Sequence, residues 1–553
     1  MKKQTKRMAA LGLAAAMTAT LLAGCGGTSA SSATASGSTP DAAADSAATA
    51  ATAGSYTDYS AGFPERIKLQ IPIYDRSFEG WDPTDNYYTR WAQKEFGDKY
   101  NIDLEYVSIG RSTEVQDYMQ MIAAHTEPNI VFHYDMPQAV NYYAQGAMQD
   151  IDYDEVAYYA PDYWEKMQST IEKYGKLDGH NAFILAERDP IYYSYVRLIR
   201  KDWCDKVGME VPKTQEELEA VAKAWKEAGL GTVSEGLLTK SFNYEYGWID
   251  PDASADELAL YLDLNVAPFT WDASERYLKN RNQMYNEGIL DPEFYLNTED
   301  SLTKGKFVSG QSGVYGLYIS SGTDVISSLK ANDPNAEVAV IPTTVSEGFK
   351  PYYYQYPPYG MIMGISVDST DEQRAAVYMY LNWMMQPDNL FFLQNGIEGE
   401  TYNLDENGIA IPVKDYEGEA KLSQNSNKDM WILVHEAPAT YGDEEKDLIA
   451  NKLTLAPEGY ESLIDASYEL CKSEEQYGII SPIFTKSVES LTEYSADLNA
   501  LWQEAYVDCI TCAPEEFDAK YAEYSQEYLD AGYQAILDEK QALIDEGAVL
   551  IVE

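Results

Sequence analysis

Ile67, Leu69, Ile71 and Ile73 alternate with Lys68, Gln70, Pro72 and Tyr74, the two-residue period of a strand with distinct faces. Over Thr84–Tyr100 the aromatic residues Tyr87, Tyr88, Trp91 and Phe96 fall at helical spacing. Alternation returns at Ile102, Leu104 and Tyr106, Glu114–Ala124 reads as a helix, and Pro128–His133 is a short apolar run bounded by turn formers. This β-α-β-α-β order predicts an open α/β sheet. The theme repeats further on. Ile191–Ile199 is a tyrosine-rich extended run. Thr214, with Glu217 three residues later, forms a capping box that opens a helix over Gln215–Glu227. Glu275–Glu287 is helical and stops at Gly288, and Val314–Ile319 and Val338–Ile341 read as strands. Three prolines exclude Pro351–Pro358 from regular structure, Tyr359–Val367 is apolar with glycines, and Glu372–Met385 is an amphipathic helix ended by Pro387. From Pro457 onward the pattern is mostly helical, with Phe517, Tyr521, Tyr524, Tyr528, Ile536 and Leu537 on one buried stripe. No fixed-period repeat is present.

The N-terminus follows a different logic. Lys2, Lys3, Lys6 and Arg7 precede an apolar run, Met8–Ala23, that closes on Leu22-Ala23-Gly24-Cys25. This is the pattern of a secretory signal cleaved before a cysteine that is diacylated and becomes the first mature residue. Lipidation is therefore expected at Cys25, which places the protein at the extracellular face of the cell membrane, held by lipid alone. Gly26–Gly54, almost all Gly, Ala, Ser and Thr, cannot offset its folding entropy and reads as a tether. No later segment offers the ~18 consecutive apolar residues of a membrane span.

Charge narrows the function classes. The chain of 553 residues carries 90 acidic and 40 basic side chains, a net charge of −50, and Lys and Arg do not cluster after residue 7. Nucleic-acid binding is excluded because phosphate neutralisation needs a basic patch. The acidity also disfavours a strongly anionic ligand unless local Arg and Lys compensate. Cys204, Cys471, Cys509 and Cys512 are too scattered for a disulfide framework, and the Cys509–Cys512 pair follows a helical stretch rather than opening a βαβ unit, so these two read as half-buried structural thiols. His125, His133, His180 and His435 show neither metal-binding spacing nor a nucleophile partner. Asp150, Asp152 and Asp154 imitate the start of a calcium loop. Glu155 stands where the loop needs glycine and Pro161 where it needs glutamate, so these acids read as a turn and a helix N-terminus. No phosphate-binding glycine loop is present. No catalytic constellation or cofactor is expected, no metal ligands are singled out although a structural calcium stays an open alternative, and the protein is expected not to be an enzyme.

Four stretches, in order, carry a family resemblance. They are Ala144–Ile151; Arg200-Lys201-Asp202-Trp203-Cys204-Asp205-Lys206-Val207-Gly208 running into Val211-Pro212-Lys213-Thr214; Glu287-Gly288-Ile289-Leu290-Asp291-Pro292-Glu293-Phe294; and Asn395–Tyr402. Behind the lipidation motif, the chain resembles the substrate-binding lipoproteins of ABC importers, of the large Gram-positive type related to family 1 extracellular solute-binding proteins. The resemblance implies an α/β fold of the two-lobed, type II periplasmic-binding-protein kind, with open sheets flanked by helices and hinge strands between the lobes. It implies a monomer that traps ligand on lobe closure and docks on membrane permease subunits. The expected organisation is a signal peptide at 1–24, a lipidated linker at 25–55, first-lobe residues 56–190, second-lobe residues 191–354, a return to the first lobe at 355–450, and a C-terminal helical region at 451–553 belonging mainly to the second lobe.

In open α/β sheets, ligands bind beyond the carboxyl ends of the strands. Those ends here carry Tyr74-Asp75-Arg76 with Trp81 beyond, and His133-Tyr134-Asp135. The expected hinge carries Tyr192, Tyr193 and Tyr195; the second lobe offers Phe242, Tyr244, Tyr246, Trp248 and Trp271; the Tyr352–Tyr356 segment is dense in tyrosine. Aromatic faces beside carboxylates suit sugars, whose apolar faces stack while their hydroxyls bond to charged groups. The ligand-binding set expected is Tyr74, Asp75, Arg76, Trp81, Tyr134, Asp135, Tyr193, Trp248, Trp271 and Tyr354. Trp81 and Trp271 are the leading platforms, and the expected ligand is a neutral or weakly charged oligosaccharide. With 46 tyrosines in the chain, most serve the core. Receptors for peptides or other small solutes, a glycan-active surface enzyme and a structural adhesin are the competing readings.

Overall fold

The computed structural model describes residues 56–550 apart from 189–194, 235–245, 263–264, 319–321, 414–415, 422–426, 437–440, 442 and 456–458. The first lobe begins with the strand Ile67–Asp75, paired in parallel with Ile102–Gly110 so that Ile67 faces Ile102 and Asp75 faces Gly110. Asn129 ties this pair to the next strand. Its side-chain oxygen accepts from the Gln70 N–H at 2.8 Å, and its own N–H donates to the Gln70 carbonyl at 3.1 Å. Strand Ile130–His133 then runs antiparallel to Tyr359–Ser366, which pairs on its other side with Ile184–Arg188, and His435–Glu436 extends the sheet in parallel beyond that. All eight residues of Tyr359–Ser366 are buried, which is why that stretch reads as a continuous apolar run rather than an alternating one. Helix Asp371–Met385 covers the sheet, with its alanines, tyrosines and Leu381 in the core.

The second lobe is built on Tyr195–Arg200, flanked by antiparallel Val314–Tyr318 and Val338–Ile341. Its largest core gathers Trp203, Trp225, Phe269, Tyr277, Trp502, Tyr506, Tyr521 and Tyr528. Helix Asp272–Glu287 lies against the long helix Glu489–Thr511, where Tyr277 and Tyr506 share a hydroxyl–hydroxyl bond of 3.1 Å. Phe517, Tyr521, Tyr524, Tyr528 and Ile536 are buried as the periodicity predicts, although Gly532, at φ 118°, kinks the helix between Tyr528 and Ile536.

The chain passes between the lobes repeatedly. Arg188 ends a first-lobe strand, and Val196 and Leu198 belong to a second-lobe core that also contains Ile464 and Cys471. Leu448 packs on that same core. Ile483 returns to the first-lobe core, where Leu550 joins it. The 351–358 stretch differs from the sequence expectation. Tyr353–Tyr354 forms a short parallel pair with Gly478–Ile479, because the prolines flank the pair and leave its donors intact. Among the described residues, no helix is long and apolar enough to cross a membrane.

Candidate ligand-binding site

Three first-lobe strands deliver the site. They end at Asp75, Gly110 and His133, and the next residue in each case is Arg76, Arg111 or Tyr134. Tyr74 is buried, and its ring stacks on Tyr134 with centroids 5.8 Å apart and planes 7° from parallel. The Arg111 guanidinium lies 5.1 Å from each of these two ring centroids, and that of Arg76 lies 5.4 Å from Tyr74. Beneath the rings, the Glu114 carboxylate accepts from the Tyr74 hydroxyl and from Arg111 Nη1 at 3.0 Å, with His133 Nε2 3.7 Å away. Burial pushes the Glu114 carboxyl up to about 7, outweighing the hydrogen bond and the guanidinium that favour its charged form.

Arg76 donates through Nε and Nη2 to both oxygens of Asp429, at 2.7 and 2.8 Å. Asp429 sits on the short 3₁₀ turn Asn427–Met430, beside Lys428. Lys428 is half-buried. Burial, and then the nearby charge of Arg76, hold its ammonium below the usual lysine range, against the pull of Glu436 and Asp429. Asp75 accepts from the Ser77 N–H at 2.7 Å, and Asp135 is exposed at the start of helix Met136–Ala144. Trp81 packs half-buried against the first-lobe core, and its buried indole N–H has no acceptor among the described residues.

A second set of contacts leads toward the other lobe. Arg188 donates through Nε and Nη2 to Glu436 Oε2 at 2.9 and 2.6 Å and lies 4.8 Å over the Tyr356 ring. Tyr356 meets Tyr354 edge-on at 4.8 Å, and Tyr354 meets Tyr246, a second-lobe core residue, at 6.4 Å. Trp248 is half-buried near Phe349, its carbonyl accepting from Arg276.

The structure thus gathers Asp75, Arg76, Tyr134 and Asp135 at the first-lobe strand ends, with Tyr74 beneath them, and puts Tyr354 at the crossing. Trp271 shares the Tyr246 core on which Trp248 and Tyr354 pack, but is sealed inside it. It is 4% exposed, stacked flat on Tyr261 at 5.4 Å, with its indole N–H donating to Glu257 at 2.8 Å, so it is a core residue that opens helix Asp272–Glu287. Tyr192, Tyr193, Phe242, Tyr244 and Cys25 lie outside the described residues. Sequence reasoning passes over Arg111, although it stands at a strand end like Arg76; extending the second strand to Gly110 would find it. Glu114, Arg188, Lys428, Asp429 and Glu436 carry no local signal.

Glu114 makes one pH dependence explicit. Folded, it keeps its proton to about pH 7, whereas the unfolded chain releases it near 4.5, the ordinary value for a glutamate. The folded state therefore binds the extra proton between these values. The resulting stabilisation is complete below 4.5 and is lost as pH rises through 7. Glu114→Gln keeps an acceptor for Tyr74 and removes this titration. Relative to wild type, the variant should gain about 1–3 kcal/mol between about pH 5 and 7.5 in urea unfolding. Parallel pH profiles for the two proteins would contradict the assignment.

Separate cores for the two lobes, a chain that passes between them, and charged and aromatic residues at the first-lobe strand ends define a two-lobed solute-binding protein. The chain belongs to the family of bacterial extracellular solute-binding proteins, whose model matches residues 91–391, more than half of its 553 residues. It is a binding receptor and not an enzyme. Among curated relatives, it is 26% identical over 129 residues to an uncharacterized protein in the butB 5′ region of Niallia circulans, covering 23% of this chain and 49% of that one. It is 31% identical over 138 residues to the polygalacturonan/rhamnogalacturonan-binding protein YtcQ of Bacillus subtilis strain 168, covering 25% of this chain and 27% of that one. The match thus spans about half and about a quarter of the length of these relatives. Solved structures of similar fold include the alginate-binding protein AlgQ2 without calcium ion, at TM-score 0.61 and 16% identity over 88% of this chain and all of that one. An HMO-binding, ABC-transporter-associated solute-binding protein of Bifidobacterium longum infantis has TM-score 0.60 and 16% identity over 88% of this chain and 99% of its own.

Proposed function

We propose that this protein is the lipid-anchored receptor of an ABC importer, held outside the membrane through Cys25, which closes its two lobes on an oligosaccharide and presents it to the permease. The observation that carries this reading is the pair of ring-and-charge groups: Arg76, Arg111, Tyr74 and Tyr134 at the first-lobe strand ends, and the run from Arg188 over Tyr356 to Tyr354 and the second-lobe Tyr246. The sugar ligands in the names of YtcQ, AlgQ2 and the Bifidobacterium protein agree with it. Of the residues singled out from the sequence, Asp75, Arg76, Trp81, Tyr134, Asp135, Trp248 and Tyr354 are proposed to face the ligand. Tyr74 supports the site from beneath, and Trp271 stabilises the second lobe.

Calorimetric titration against an oligosaccharide panel tests the reading. A bound sugar should be recovered intact, should raise the melting temperature, and should reduce the radius of gyration in small-angle scattering as the lobes close. Trp81→Ala should weaken binding about five- to thirty-fold, the loss of about 1–2 kcal/mol of stacking, while Trp271→Ala should lower the melting temperature and keep the affinity. Binding of peptides with no response to any glycan would overturn the reading.

A further inference from the structure

The net charge of −50 argues against an anionic ligand, yet the first-lobe strand ends concentrate the opposite charge. Arg76, Arg111 and Lys428 stand close enough for the two guanidinium groups to depress the lysine's ionisation. The acids nearby are committed. Both oxygens of Asp429 take two of the three guanidinium nitrogens of Arg76, and Oε2 of Glu436 takes two of those of Arg188. Glu114 is 3% exposed and is bound from above by the Tyr74 hydroxyl and Arg111.

That leaves Lys428 with no ion-pair or hydrogen-bond partner among the described residues, in a chain with 90 acids to 40 bases. A half-buried ammonium that Glu436 and Asp429 attract but do not contact is poorly compensated, and in so acidic a protein a contacting carboxylate was easily supplied. Arg111, its side chain 43% exposed, lies over the Tyr74 and Tyr134 rings and spends one nitrogen on Glu114, which leaves guanidinium N–H donors for a ligand. A planar fork beside a point charge matches one negative charge spread over two oxygens. Asp75 and Asp135, at the same strand ends, are acceptors suited to hydroxyls.

We propose that the solute bound at this site is an acidic oligosaccharide of the uronic-acid class, whose carboxylate is taken by Arg111 and Lys428 at the ends of the first-lobe strands. This rests on the oligosaccharide-receptor reading and narrows it. The local pair of cations, and not the net charge, sets the preference, because screening confines the field of distant surface carboxylates to about 8–10 Å while contact charges act at full strength.

The test is calorimetry of the full chain against uronic-acid oligosaccharides, the same oligosaccharides methyl-esterified, their neutral hexose counterparts, and a sulfated neutral oligosaccharide. The free acid should bind at least ten-fold tighter than its ester. In Lys428→Met and in Arg111→Gln that acid-over-ester preference should collapse toward one. Lys428→Met should at the same time raise the melting temperature of the ligand-free protein by removing a half-buried charge that no carboxylate contacts, a combination that a merely structural lysine would not produce. Equal or tighter binding of the ester or the neutral sugar overturns the carboxylate assignment and leaves the receptor reading standing, as does a preference for the sulfated sugar. No binding by any member of the panel overturns the receptor reading itself.

Discussion

Glu436→Gln is expected to destabilise the protein by about 3–5 kcal/mol, because it leaves a buried guanidinium without its counter-charge. Arg188 and Glu436 are 6% exposed each, joined by two hydrogen bonds to one carboxylate oxygen, and they stand side by side on adjacent parallel strands. The surroundings are built around this pair. Tyr356 lies under the guanidinium, and a Cβ placed on Gly360 would collide with the Glu436 carboxylate, so only glycine lets the Tyr359–Ser366 strand pass there. Gln can keep one hydrogen bond but not the charge. The loss should appear as a lowered urea midpoint and melting temperature. The double variant Arg188→Met/Glu436→Leu should recover most of it, since replacing a whole buried pair by apolar groups is often close to neutral. A single variant within about 0.5 kcal/mol of wild type would show that the pair is solvated in solution. Because the pair lies where the chain leaves the first lobe, a weakened Glu436→Gln protein should also bind sugar less tightly in proportion to the disorder introduced there.

Asn282→Ala is expected to cost about 1–3 kcal/mol, the penalty for stranding a buried acceptor. The Asn282 amide is buried on helix Asp272–Glu287, and its two N–H groups are shared among the carbonyls of Cys509, Ile510 and Cys512 at 3.0, 3.1 and 2.9 Å. These carbonyls close the long helix Glu489–Thr511, and its last turn has no intrahelical donors for them. Removing the amide strands the Ile510 carbonyl at about 1–3 kcal/mol, while the Cys512 carbonyl keeps Asn286 Nδ2 at 3.0 Å and that of Cys509 keeps the Cys512 thiol at 3.2 Å. Asn282→Asp should be worse than Ala, because a carboxylate would face carbonyl oxygens at the negative end of a helix. Chemical denaturation of the three proteins gives the order; an Asp variant as stable as wild type would show that the amide contacts do not form. The same contacts explain the paired cysteines. Cys509 and Cys512 are free, buried thiols, and burial pushes the Cys509 thiol up to about 12, so neither is poised for redox chemistry.

Much of the architecture is legible in the chain. Glu114–Ala124 and the Gln215–Glu227 helix with its Thr214–Glu217 box occur where the apolar spacing and caps put them. The helix ending at Glu287 stops on Gly288 in a left-handed conformation, and Val338–Ile341 is a strand. These features rest on hydrogen bonds within a turn or a period of two or 3.6 residues, which neighbouring side chains control. The strand-end positions of Arg76 and Tyr134 follow from the amino-acid pattern for the same reason, since where a strand stops is a local property.

The partners of those residues cannot be read in the same way. Asp429 lies 353 positions from Arg76, Glu436 lies 248 from Arg188, and Cys512 lies 230 from Asn282. Nor does the sequence tell the two tryptophans apart. Trp81 and Trp271 both follow turn-forming residues, but one has an unsatisfied indole N–H near the strand ends and the other is sealed between Tyr261 and Glu257. Whether a charge is neutralised or left waiting, and whether a ring is platform or core, depends on which distant loops the crossing strands bring together. Local periodicity builds each element by short-range hydrogen bonding, whereas the balance of charge at the site is struck only when both lobes have packed and water has been excluded between residues far apart in the chain.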